Sequence, residues 1–99
     1  MKTFDPQTLQ EKYERWYALH QKTEEAQAQW QEAGKLMAEL QEYYQSEQWR
    51  VDSASDVRLE CAAEVHSILS EDALWNSLAE RQEQAIKWMR LALDTIDRS

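Results

Sequence analysis

Residues 6–46 read PQTLQEKYERWYALHQKTEEAQAQWQEAGKLMAELQEYYQS, and their spacing decides the fold. Leu9, Tyr13, Trp16, His20, Thr23, Gln27, Trp30, Ala33, Met37, Leu40 and Tyr44 recur at steps of three and four, which places them along one stripe of an α-helix. Just ahead, Asp5 can cap the helix, Pro6 suits its first position, and Phe4 and Leu9 have the spacing of a hydrophobic staple. The stripe is apolar at both ends and weak in the middle, where His20, Thr23 and Gln27 sit. Unbroken to about residue 46, the helix is roughly 60 Å long at 1.5 Å per residue. That length does not suit a compact globule of 99 residues. The helix must bend near Gly34, form half of an elongated hairpin, or pair with a second copy.

Gly34 and Pro6 are the single glycine and single proline of the chain. Strands and catalytic loops need turn residues at regular intervals, so a β-rich or loop-rich architecture is excluded. Small and polar residues are densest in Ser46–Asp56, SEQWRVDSASD, with Trp49 and Val51 as apolar anchors. Ser53 and Asp56 have the spacing of a capping box, and a short helix over about 54–68 then carries Val57, Cys61, Val65 and Ile68 on one face. Ser70 is the expected cap of a last helix, with Glu71 and Asp72 in its first turn and Leu69 stapled to Leu74. Trp75, Leu78, Gln82, Ala85, Met89, Ala92 and Ile96 continue that helix on one seam to about residue 97. The expected fold is a single all-α domain over 1–99. It is an elongated antiparallel helical hairpin of two long helices, about 6–46 and 71–97, with a short third helix in the connector that begins near residue 47.

The 42% of apolar residues, with five tryptophans and four tyrosines, are enough to build a core. The net charge of -8 opposes direct binding to nucleic acid or to an anionic membrane surface. Cys61 is the only cysteine, so no internal disulfide and no cysteine-based zinc site can form. Its neighbours Leu59, Ala62, Ala63 and Val65 suggest a buried, inert thiol. The first residues carry no apolar signal-like run, and no stretch approaches the ~18 apolar residues of a membrane span. A cytoplasmic location is expected.

Two stretches, Leu40-Gln-Glu-Tyr43-Tyr44-Gln-Ser46-Glu-Gln-Trp49 and Leu69-Ser70-Glu71-Asp72-Ala73-Leu74-Trp75-Asn76, resemble a family of small bacterial and phage proteins grouped as domain of unknown function 4298. The family pattern is a YYxSxxW block, an acidic linker, and LSED opening a final helix with Met near its end, here Met89. The resemblance covers residues 36 to about 92. The linker departs from the pattern, reading ECAAEVHSI in place of a more charged stretch with Pro and Gly. The resemblance implies a helical fold and no known activity. It implies structural roles for the shared residues, with Tyr43, Tyr44 and Trp49 pinning the connector to the long helices.

Chemistry-bearing patterns are few. Glu39-x-x-Glu42 and Glu80-x-x-Glu83 have the spacing of carboxylates that hold a divalent cation in helical nucleotide hydrolases. Thirteen glutamates in a helical chain produce such pairs by chance, and a metal-dependent nucleotide hydrolase is the weakest reading. The Glu-x-x-His motif of di-iron bundles is absent, since Tyr17 precedes His20 and Ala63 precedes His66 at that offset. No GxGxxG loop and no GxSxG elbow occur. No catalytic residue, metal ligand or cofactor is expected.

Charge is unevenly placed. Residues 39–72 hold nine acids (Glu39, Glu42, Glu47, Asp52, Asp56, Glu60, Glu64, Glu71, Asp72) against Arg50 and Arg58, a net of -7, and the rest of the chain is near neutral. Such a face can dock on a basic protein, or imitate nucleic acid in the groove of a nucleic-acid-binding or host-defence protein. It can equally do no more than keep the chain soluble. Trp16, Trp30, Met37, Trp75 and Met89 form a candidate self-association seam, because a two-helix hairpin offers little depth in which to bury them. The sequence therefore points to a non-enzymatic helical interaction module. It is expected to form a homodimer and to present an acidic connector end to a protein partner. An acidic inhibitor of a nucleic-acid-binding protein is the alternative.

Overall fold

A computed structural model describes residues 3–98. Three helices follow in order, α1 (Pro6–Tyr44), α2 (Glu47–Ser53) and α3 (Ala73–Arg98), and no strand occurs among the described residues. The protein is all-α, with two long helices and a short third between them, as the spacing predicts. It divides into two compact units, one up to Leu36 and one from Met37.

In the first unit the chain enters α1 through an aspartate cap. The Asp5 carbonyl accepts from Leu9 N at 3.1 Å, and its carboxylate accepts from Thr8 N at 3.3 Å and Thr8 Oγ1 at 2.5 Å. These bonds satisfy amides that have no partner inside the helix. They hold the Asp5 carboxyl below its ordinary pKa, the Thr8 hydroxyl contributing most. Aromatic side chains stack along the stripe, Tyr13 on Trp16 with ring centres 5.9 Å apart and Trp16 on His20 at 4.9 Å. His20 Nε2 then meets Glu24 Oε1 at 2.8 Å. The weak middle of the stripe is thus tied along its own helix. Gly34 does not interrupt α1, and no glycine has a positive φ.

The second unit contains the last turns of α1, α2, the connector and α3. Ser46 separates the first two helices: its hydroxyl donates to the Tyr43 carbonyl at 2.6 Å and accepts from Trp49 N at 3.3 Å, closing α1 and capping α2 at once. The short helix lies at Glu47–Ser53 and not over 54–68. Serine side chains account for the difference by taking the backbone partners a helix would need. Ser55 Oγ donates to the Asp52 carbonyl at 2.7 Å and accepts from Val57 N at 3.3 Å. Ser67 Oγ accepts from Leu69 N at 3.1 Å. Between them Glu64 takes φ 66°, which no right-handed helix tolerates. It is the third residue of a turn closed by Val65 N to the Ala62 carbonyl at 3.1 Å.

The last helix also opens later than expected. Asn76 N donates to the Asp72 carbonyl at 2.9 Å, and α3 begins at Ala73. Ser70 is not its cap. The Ser70 hydroxyl turns back to the Ser67 carbonyl at 2.8 Å, and Ser70 N donates to the same oxygen at 3.0 Å, so the LSED segment builds a turn ahead of the helix. Leu74 follows at once, 4% exposed and the one buried hydrophobic residue among those described.

Candidate functional site

The connector is fastened by the aromatic residues of the YYxSxxW block. The Trp49 indole Nε1 donates to the Ile68 carbonyl at 2.9 Å, and the ring of Tyr44 meets that of Trp49 edge-on at 4.7 Å. The Tyr43 hydroxyl donates to Asp52 Oδ2 at 2.6 Å. This bond holds the Tyr43 phenol above its ordinary pKa, with removal from water and the carboxylate's charge adding to it. The anchoring role that the resemblance implies for these three side chains is what the geometry displays. Val51, the other anchor read from the sequence, is exposed. The Ile68 carbonyl and the Asp52 carboxylate were invisible as partners, because a backbone acceptor leaves no trace in sequence and one acid among nineteen carries no mark.

Of the nine acids in residues 39–72, Glu39, Glu42, Glu47, Asp56, Glu60, Glu64, Glu71 and Asp72 are exposed, and Asp52 is half-buried against Tyr43. Glu47 meets Arg50 at 3.7 Å one turn along α2. Exposed pairs of that kind contribute little. Among the described residues no group of three or more His, Cys, Asp or Glu is placed to hold a metal ion. Glu39, Glu42, Glu80 and Glu83 are therefore not gathered into a carboxylate cage. Cys61 is exposed, contrary to the buried thiol its neighbours suggested, because the helix that was to bury it does not form there.

The candidate seam residues are spread over both units. In the first, Trp16 is 53% exposed in its stack on His20, and Trp30 is half-buried. In the second, Met37 is half-buried, Trp75 is 65% exposed and Met89 is 58% exposed. Two grooves lie within the second unit. One, of about 390 Å³, has Tyr44, Trp75, Leu78 and Ala79 along it and Gln41, Gln45 and Gln82 at its edges, with no charged residue. The other, of about 490 Å³, has Met37, Leu40, Ile68 and Leu74 as its apolar lining, together with the acids Glu64 and Glu80.

The family model described as Domain of unknown function (DUF4298) matches residues 7–91. The chain belongs to this family. The match reaches well beyond the segment from residue 36 that carried the resemblance and takes in nearly all of α1. The DUF4298 pattern therefore includes the striped helix as well as the connector and most of α3. No curated protein and no solved structure matches the chain. Among the described residues no helix is long and apolar enough to cross a membrane.

Proposed function

We propose that this DUF4298 chain is a non-enzymatic, cytoplasmic helical module that works by binding proteins. It forms a homodimer through its apolar seam and presents an acidic connector end to a partner. The observation that carries this reading is the contrast between Leu74, the one buried hydrophobic residue among those described, and the exposed Trp16, Trp75 and Met89. A helix on its own has no interior in which to bury a stripe, so an amphipathic face of this kind is completed by another surface. Covering the exposed half of one tryptophan, roughly 100 Å², contributes about 2.5 kcal/mol. Association itself costs several kcal/mol of lost freedom, so a stable pair needs most of the seam covered on both copies.

Light scattering tests the reading. A mass near twice 11.8 kDa, falling toward the monomer on dilution, is expected. A monomer mass at tens of micromolar sinks the dimer.

A second reading rests on the exposure of eight of the nine acids in residues 39–72. In it the chain is an acidic inhibitor that occupies the groove of a nucleic-acid-binding or host-defence protein. It should then displace DNA from its target, more weakly as salt rises, and lose that ability when Glu60, Glu64, Glu71 and Asp72 are changed to lysine. Displacement that persists in the charge-reversed variant rules the second reading out.

A further inference from the structure

We propose that the groove bounded by Leu40, Ile68, Leu74 and Glu80 receives a short segment of a protein partner in which an arginine or lysine stands beside an aliphatic side chain. This rests on the reading of the chain as an interaction module with an acidic connector end, and it names the site and the chemistry it recognises.

The groove combines two surfaces that one kind of side chain satisfies. Met37, Leu40, Ile68 and Leu74 line it with apolar carbon, while Glu64 from the connector and Glu80 from α3 bring a negative charge from either element. Among the described residues no lysine or arginine lines it, His66 is the one base at its edge, and neither carboxylate is in an ion pair or hydrogen bond. Two unpaired carboxylates on an apolar cleft attract a cation, and too few ligands are gathered there for a metal ion. An arginine or lysine fits instead, because its hydrocarbon stem covers apolar surface while its charged head reaches the carboxylates. The volume of about 490 Å³ lies in the range of pockets that enclose ligands, about 300–1,000 Å³. The net charge of -7 over residues 39–72 steers basic segments toward the connector.

The test is an NMR titration of the isotopically labelled full chain with the peptide acetyl-Leu-Arg-Leu-amide, and with acetyl-Leu-Gln-Leu-amide as its uncharged counterpart. Saturable shifts are expected at the amides of Glu64 to Ile68 and Leu74 to Glu80, with the glutamine peptide several-fold weaker. Glu64→Gly and Glu80→Gln should each weaken the arginine peptide about two- to fivefold, the span of exposed charge pairs. Glycine suits the backbone at 64 and glutamine matches glutamate in shape, so both variants should keep the fold. Absence of saturable shifts, equal binding of the two peptides, or shifts confined to other residues overturns the proposal. A dimer mass with no peptide binding overturns the groove alone. A monomer mass with saturable, charge-dependent binding overturns the self-association and leaves the groove standing.

Discussion

The Trp49 indole N–H is bonded to the Ile68 carbonyl at 2.9 Å, joining α2 to the turn that precedes α3. The two residues are nineteen apart in sequence, and beyond the end of α2 at Ser53 the segment between them is not helical. This bond ties the far end of a long connector back to α2.

Replacing Trp49 by phenylalanine keeps a ring against Tyr44 but removes the donor. The half-buried Ile68 carbonyl then loses its partner, at a cost of about 1–2 kcal/mol. Urea unfolding should show a lower midpoint with little change in slope. Hydrogen exchange should quicken at Ser70, whose amide bonds to the Ser67 carbonyl in the adjoining turn. A variant as stable as the parent shows that the connector is held by something other than this bond.

The bond from Tyr43 to Asp52 makes stability depend on pH at the alkaline end. The folded protein favours the protonated phenol, so its pKa is raised above the unfolded value. The contribution is complete below the unfolded pKa, about 10, and is lost as pH rises through the higher folded value. The parent should lose stability more steeply above that pH than Tyr43→Phe does. Parallel stability curves for the two proteins across the alkaline range contradict the assignment.

The long helices are legible in the sequence because their signals are repeated many times. The three-and-four spacing recurs from Leu9 to Tyr44, and with Gly34 and Pro6 as the single glycine and proline almost no turn competes, so an error at one position changes nothing. The connector is not legible in the same way. Val57, Cys61, Val65 and Ile68 have helical spacing, but the hydroxyls of Ser55 and Ser67 capture the neighbouring backbone groups first. At Ser70 the sequence suggests a cap whose hydroxyl accepts from the first amides of the last helix, and the structure has a donor there instead. Its hydroxyl donates backward to Ser67 while α3 starts three residues further on. Local bonds of this kind are decided by single rotamers, which periodicity does not encode. The groove was hidden for a related reason: Met37, Glu64 and Glu80 come together through the return of the chain and share no local pattern.

Cys61 lies in the non-helical part of the connector, which leaves its thiol open to reagents. An exposed thiol should react with a maleimide in the native protein at a rate close to that of the protein in denaturant. The buried thiol suggested by its apolar neighbours would instead be protected by orders of magnitude, since reaction would await unfolding. Mass spectrometry of the labelled protein over time separates the two. Strong protection in the native state contradicts an exposed Cys61.

Gly34 sits inside α1, where the chain has helical geometry and a negative φ. Glycine in that setting carries the conformational freedom of the unfolded chain without using any of it in the fold. Gly34→Ala should raise stability by roughly 0.5–1 kcal/mol, because alanine loses less freedom on entering a helix. Helical circular dichroism should be unchanged at low temperature, and the urea midpoint should rise. Gly34 is half-buried, so the same substitution also reports on what lies beside it. A loss of stability would mean that a neighbouring side chain needs the space a methyl group fills, and that this glycine is kept for close approach and not merely tolerated.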